Sequence, residues 1–76
     1  MNLSDIKPGH YGIVTGFAKS SQIRRRLQDL GVIRGTKIEC INRSPLGDPS
    51  AYLIRKTVIA LRREDAEQIY ISEVDQ

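Results

Sequence analysis

The chain has 76 residues, a formal net charge of +3, a hydrophobic fraction of 39% and a charged fraction of 28%. This composition is typical of a folded protein and does not indicate disorder, and the length predicts one domain over residues 1–76 with a small core. No apolar run approaches the roughly 18 residues that span a bilayer, and the first residues lack the pattern of a signal peptide. We therefore expect a cytoplasmic protein with no transmembrane segment of its own.

The charges are distributed unevenly along the sequence. Residues 1–63 contain all 12 Lys and Arg but four acids, a net charge of +8, whereas residues 64–76 contain five acids and no base, a net charge of −5. A basic body can bind nucleic acid, anionic lipid headgroups or an acidic protein face. It can equally be a solvated surface that the acidic tail partly neutralises.

The first predicted elements are a turn, a strand and a helix. Pro and Gly within residues 7–10 are typical of a turn. Residues 11–17 then alternate between two faces, and their glycines indicate a bend or a close backbone approach. Ser20 or Ser21 can cap the helix that follows, and Gly31 ends it. The apolar stripe of this helix, which we expect to face the core, consists of Ile23, Leu27 and Leu30.

The second half of the chain predicts strands. Within the first of them, Ile41 breaks the alternation, so either a bulge or burial on both faces is expected there. A loop with two prolines follows over residues 44–49. A short helical turn over residues 64–68, with Ala66 facing inward, precedes the last strand. The predicted strands are residues 37–43, 51–55, 58–61 and 69–74. Several short strands and one helix predict a mainly β fold, a small, partly open barrel.

The sequence predicts no enzyme. A nucleophilic triad needs a base beside Ser or Cys, and the single histidine, His10, lies in the predicted turn. Neighbouring carboxylates occur within residues 64–67, where stabilisation of a helix start explains them. The glycines lack the spacing and the strand-to-helix context of a phosphate-binding loop. No catalytic residue is therefore assigned.

The sequence also predicts no metal site and no cofactor. Tight ferrous or zinc sites usually draw on several His or Cys ligands, and this chain has one of each. Cys40 lies in an apolar stretch and is predicted to be a small core residue. His10 and Asp48 could at most share a weak surface site.

Four segments, in order, cover almost the whole chain and carry a family resemblance. They are LSDIKPG (3–9), RLQDLGVIRGT (26–36), SPLGDP (44–49) and ALRREDA (60–66), with Ile69 and Ile71 after the last. Together they resemble the FeoA domain family, ferrous iron transport protein A. In the family a glycine usually follows the arginine of the third strand, and this chain differs because Lys56 follows Arg55.

The resemblance implies a fold and a role. The fold is a small SH3-like, partly open β-barrel of about five strands, with one inserted α-helix and a short helical turn before the last strand. The role is that of a cytoplasmic accessory protein of ferrous iron uptake, which docks on a FeoB-type permease with a GTP-hydrolysing domain and is recruited to the inner face of the membrane. Regulation of nucleotide hydrolysis, assembly and gating all remain open, as does the oligomeric state.

Four residues are the candidates for partner contact. Leu46 and Pro45 belong to the proline-bounded loop, where Leu46 either is held outward for a partner or folds back to cap the barrel. Arg24 and Arg25 lie off the apolar stripe of the helix and form a basic edge for an acidic partner face. The neighbouring Arg26 could instead pair with an acid on the barrel.

A small basic nucleic-acid-binding β-barrel is the alternative function. Such barrels place aromatic stacking platforms beside a positive groove. The aromatic residues of this chain form no clustered motif; they are Tyr11, Phe17, Tyr52 and Tyr70. We therefore expect no stable complex with nucleic acid.

Overall fold

We describe residues 1–18, 23–43 and 48–74 from the computed structural model of the chain. They form one five-stranded antiparallel sheet, one longer helix and two short helical turns, which confirms the predicted mainly β fold. None of the described helices has the length and apolar character needed to cross a bilayer. The elements are a 3-10 turn (Leu3–Asp5), β1 (Tyr11–Phe17), α1 (Ile23–Asp29), β2 (Lys37–Arg43), β3 (Ser50–Ile54), β4 (Thr57–Leu61), α2 (Arg63–Ala66) and β5 (Ile69–Val74).

The sheet has the strand order β4-β3-β2-β1-β5 and buries one of its faces. Alternate residues of the strands point into the core, and α1 and the 3-10 turn cover it. Cys40 is fully buried, which confirms its predicted role as a core residue. The buried apolar residues are Leu3, Ile6, Val14, Ile23, Leu27, Val32, Ile38, Cys40, Tyr52, Ile54, Leu61, Ala66, Ile69 and Ile71.

The glycines of β1 allow the close approach that the sequence indicated. A Cβ atom on Gly12 would lie 2.7 Å from the Cδ1 atoms of both Ile6 and Ile71. The pairing of β1 with β5 shifts in register between Val14 and Gly16, which marks a bulge in β1. These two features let β1 pack tightly on the core and bend.

Gly31 ends α1, as predicted. Its φ angle is +92°, a left-handed conformation that favours glycine. The backbone N–H of Val32 donates to the carbonyl oxygen of Leu27 at 2.8 Å, and that of Gly31 donates to Gln28 at 2.9 Å. This is the Schellman pattern, and the buried side chains of Leu27 and Val32 provide the apolar contact that accompanies it.

The prediction that Leu30 faces the core is wrong. The helix ends at Asp29, so Leu30 lies in the turn that reverses the chain, and 48% of its surface is exposed. Ile23 keeps its predicted buried position. Ser20 and Ser21, the predicted helix caps, lie outside the described residues.

The sequence left two alternatives open at Ile41, and the structure shows a bulge. The register of β2 against β3 shifts between Cys40 and Asn42, and the Ile41 side chain is exposed. Ala66 is buried, as predicted, although α2 ends at this residue instead of reaching residue 68.

Strands β3 and β4 form a hairpin with a two-residue turn. The φ angles of Arg55 and Lys56 are 50° and 67°, so both central residues are left-handed, as in a type I′ turn. Such turns favour Asn-Gly, and Lys56 stands where the resembling family usually has glycine. The turn occupies residues 55 and 56, one position earlier than the predicted strand bounds imply, so β3 ends at Ile54 and β4 begins at Thr57. β3 also begins one residue earlier than predicted, at Ser50.

Replacement of Lys56 by Gly is expected to raise the free energy of unfolding by about 0.5–1 kcal/mol. A left-handed conformation costs a residue with a Cβ atom about 1–2 kcal/mol, and the greater freedom of glycine in the unfolded chain offsets part of this gain. Urea denaturation measures the change. The control is Lys56→Ala, which removes the charge but keeps the Cβ atom. Equal stability of the two variants would contradict this explanation.

Candidate docking surfaces

The ionisable side chains of the described residues are scattered. Across residues 1–18, 23–43 and 48–74, no three His, Cys, Asp or Glu side chains lie close enough together to hold a metal ion. The Nδ1 atom of His10 lies 3.3 Å from Glu73 Oε2. The Oδ1 atom of Asp48 accepts a hydrogen bond from the backbone N–H of Arg63 at 2.7 Å. His10 and Asp48 therefore have separate partners.

The Cys40 thiol is chemically protected. Its side chain is fully buried under the sheet, and this burial raises the pKa of the Cys40 thiol above its ordinary value, although nearby Arg43 opposes the shift. The thiolate is the reactive form of cysteine, so a buried thiol with a raised pKa is a poor nucleophile and a poor metal ligand near pH 7. The residue belongs to the core and not to a site.

The first candidate surface is the helix edge, which consists of Arg24 and Arg25. Both side chains are exposed on α1, on the side away from the buried Ile23 and Leu27. The guanidinium carbon of Arg24 lies 5.9 Å from the centre of the Phe17 ring, within the range of a cation–π contact. This contact holds one of the two charges near the end of β1, where a partner can reach it.

The other sequence-predicted contacts have different outcomes. Arg26 is exposed, and no ion pair joins it to an acid within the described part of the barrel. Pro45 and Leu46 lie outside the described residues, so their contact with a partner stays a prediction.

The second candidate surface lies on the face of the sheet opposite the core. A row of residues pairs in register across four neighbouring strands: Tyr11 with Glu39, Glu39 with Leu53, and Leu53 with Val58. All four side chains are partly or fully exposed. The row therefore presents apolar and aromatic groups to solvent on the outside of the sheet.

This row borders a shallow cleft of about 170 Å³, which we call the basic cleft. Lys37 Nζ lies 4.3 Å from the centre of the Tyr11 ring, a close cation–π contact. The Nε atom of Arg55 donates to the carbonyl oxygen of Gly31 at 2.8 Å, which fixes this side chain between the hairpin and the end of α1. The residues lining the cleft are Tyr11, Lys37, Glu39, Leu53, Arg55 and Lys56.

The basic cleft joins three cations with one carboxylate and two apolar groups. Such a surface can bind a protein segment that combines apolar and acidic side chains. Sequence reasoning missed it because its residues come from three strands and one turn. Alternation within each strand predicts that Tyr11, Glu39 and Leu53 face away from the core. It does not predict the register that aligns these three residues across neighbouring strands.

Comparison with known proteins gives one family and one fold. The FeoA domain model matches residues 1–73. The chain is 31% identical over 71 residues to the Fe(2+) transport protein A/Fe(2+) transporter FeoB fusion protein of Porphyromonas gingivalis. That match covers 93% of this chain but 8% of the fusion protein, so the chain spans a small part of the length of this relative.

Two solved structures show the same fold. The FeoA protein of Chlorobium tepidum is 37% identical, with a TM-score of 0.90 over 99% of this chain and 71% of that chain. The FeoA of Stenotrophomonas maltophilia, solved in complex with zinc and described as a prokaryotic SH3 domain protein, is 25% identical. Its TM-score is 0.83 over 95% of this chain and 89% of that chain. The predicted SH3-like fold is confirmed.

Proposed function

The chain belongs to the FeoA domain family, which is linked to ferrous iron transport, and from this membership we propose that it docks on the cytoplasmic face of a FeoB-type, GTP-hydrolysing iron permease. In this role it modulates the permease through protein contacts. It catalyses no reaction and needs no cofactor of its own.

The observation that carries the proposal is the fusion protein of Porphyromonas gingivalis. There, a segment similar to this chain shares one polypeptide with a FeoB transporter. Fusion keeps two domains at a high effective concentration, so their contact needs little affinity. Docking without such a linker needs a surface with enough affinity to maintain the contact.

The helix edge and the basic cleft provide surfaces of the required kind. Both present exposed cations beside apolar or aromatic groups. Positive patches raise the rate of encounter with an acidic partner face, and the apolar groups supply the contact that excludes water. Pro45 and Leu46, which follow β2 and precede β3 in the sequence, are proposed as further contacts.

Reversal of the helix-edge charges tests the docking. In Arg24→Glu/Arg25→Glu, attraction to an acidic partner becomes repulsion, and we expect the amount of permease that co-purifies with the chain to fall by about tenfold. The control is Arg24→Lys/Arg25→Lys, which keeps both charges. Circular dichroism confirms that each variant is folded.

The outcomes of this experiment are distinct. Equal recovery of the permease by the Glu and Lys variants would remove the helix edge from the interface. Failure of the unmodified chain to retain the permease at physiological ionic strength would overturn the docking proposal itself.

A nucleic-acid-binding barrel is the second candidate, because the basic cleft places the Tyr11 ring among three cations. The distribution of aromatic residues favours nucleic-acid binding less than it favours docking on a protein. Tyr52 is buried in the core, and Lys37 already stacks on the Tyr11 ring. A row of accessible rings, which single-stranded nucleic acid needs, is not formed by the described residues. Salt-sensitive binding of generic oligonucleotides at micromolar concentration would favour this second function.

A further inference from the structure

Strand β4 is the edge of the sheet that the described residues leave open. β4 pairs with β3 on one side and with no other strand of residues 1–18, 23–43 and 48–74. The opposite edge, β5, is partly covered by the start of the chain. There, Asn2 forms a bridge with Tyr70, and the backbone N–H of Ile71 donates to the carbonyl oxygen of Met1 at 3.0 Å.

The open edge carries outward backbone groups in a regular array. The two-residue turn makes Ile54 and Thr57 the first hydrogen-bonded pair of the hairpin. Alternation along an antiparallel ladder then directs the N–H and C=O groups of Val58 and Ala60 away from β3. The pairing of β4 with β3 has no register shift, and 62% of the Val58 surface is exposed.

The open edge lacks the usual protection against strand pairing. Natural sheets protect their edges with charges, prolines or bulges within the strand. The five residues of β4 are Thr-Val-Ile-Ala-Leu, and they include none of these devices. The protection comes from outside the strand. Four exposed cations flank it, namely Arg55 and Lys56 before it and Arg62 and Arg63 after it.

These flanking charges determine which strand can pair with β4. An antiparallel pairing of β4 with a second copy, centred on Ile59, would bring the end of that copy that carries Arg62 and Arg63 next to the turn that carries Arg55 and Lys56. By symmetry the same happens at the other end of the pair, so like charges meet at both ends and oppose pairing. A strand with acidic residues at both ends turns the same contacts into attractions.

We propose that β4 receives an extended segment of the permease as an additional strand, and that this segment has a short apolar centre with acidic residues at both ends. The inference rests on the proposed function and names the docking mode. The outward backbone groups of Val58 and Ala60 bind the segment, as in other cases of strand addition. The Val58 side chain lies opposite Leu53, so the added strand is continuous with the basic cleft.

A proline placed on the open edge tests the proposal. In Ala60→Pro, the lost N–H points away from β3, so the hairpin keeps its own hydrogen bonds while the edge loses one donor. The matched control, Ala60→Val, adds bulk but keeps the N–H. With the full-length permease in detergent as the binding partner, we expect Ala60→Pro to bind at least about tenfold more weakly than the control.

Hydrogen exchange of the unmodified chain gives a second measurement that does not depend on the folding of a variant. In the free chain the amide protons of Val58 and Ala60 face solvent. In the complex we expect their exchange to slow by at least about tenfold, because they donate to the added strand.

The possible results distinguish a failure of strand addition from a failure of the proposed function. Permease binding by a folded Ala60→Pro at the affinity of the control, or unchanged exchange at Val58 and Ala60 in the complex, would overturn strand addition while docking stands. Protection of these amides in the chain alone at increasing concentration would overturn it in favour of a second copy. Absence of permease binding by the unmodified chain would overturn the proposed function as well.

Discussion

Replacement of Leu27 by Ala is expected to lower the free energy of unfolding by about 2–5 kcal/mol. Leu27 is fully buried between α1 and the sheet, and its truncation leaves a cavity beside Val32. A chain of this length has a total stability of about 4–11 kcal/mol, so the loss is a large part of it. Urea denaturation monitored by circular dichroism measures the change.

The matched control for this prediction is Leu30→Ala. Both leucines belong to the apolar stripe predicted from the sequence, but Leu30 is 48% exposed and lies beyond the end of α1. We expect its truncation to cost less than about 1 kcal/mol, because little apolar area leaves the core. Equal costs at the two positions would show that the helix continues and buries Leu30, contrary to the structure.

Replacement of Gly31 by Ala is expected to have the second-largest effect, a loss of about 2–3 kcal/mol. The left-handed φ angle of +92° costs a residue with a Cβ atom about 1–2 kcal/mol. In addition, the new Cβ atom would lie 2.9 Å from Cδ of Arg55, so this side chain must move. Its hydrogen bond to the carbonyl oxygen of Gly31 is then weakened, and the basic cleft loses one of its fixed cations.

The variant Gly35→Ala separates the cost of the left-handed backbone from the cost of moving the Arg55 side chain. Gly35 also has a left-handed φ angle, +91°, but a Cβ atom there would meet nothing within 4 Å. This variant therefore shows the backbone cost alone. We expect Gly31→Ala to be less stable than Gly35→Ala by about 1 kcal/mol, measured by urea denaturation. Equal stabilities would mean that the contact between Arg55 and Gly31 contributes nothing.

Local signals predicted much of the fold. Alternation located the strands, and the helix stop at Gly31 followed from glycine after an apolar helical stripe. The break in alternation at Ile41 indicated an irregularity, although periodicity alone does not distinguish a bulge from burial on both faces. These features depend on a few neighbouring residues, which is why the sequence was sufficient for them.

Features that depend on distant residues were not predictable in the same way. The spacing of Leu30 fits a helical stripe, but the Schellman pattern ends the helix before this residue can face the core. The basic cleft requires the register of β1, β2 and β3, which packing of the whole sheet determines. The left-handed turn at Arg55 and Lys56 lacks the usual glycine, so no local signal indicated its type.

The open edge of β4 likewise depends partly on neighbouring residues and partly on distant ones. Its apolar sequence and its flanking cations are visible in the chain, but the strand order decides that it lies at an edge. In the middle of a sheet, the same five residues would be an ordinary buried strand. The docking proposal therefore depends on the strand order and not on the sequence of β4 alone.

Uptake of ferrous iron by cells tests the central claim, that this chain acts through its outer surface on a permease. The cells keep the FeoB-type permease and either contain or lack the chain, and radioactive ferrous iron reports the initial rate. We predict that uptake falls when the chain is absent, and that the unmodified chain restores it but the Arg24→Glu/Arg25→Glu variant does not. Equal uptake with and without the chain would contradict the claim.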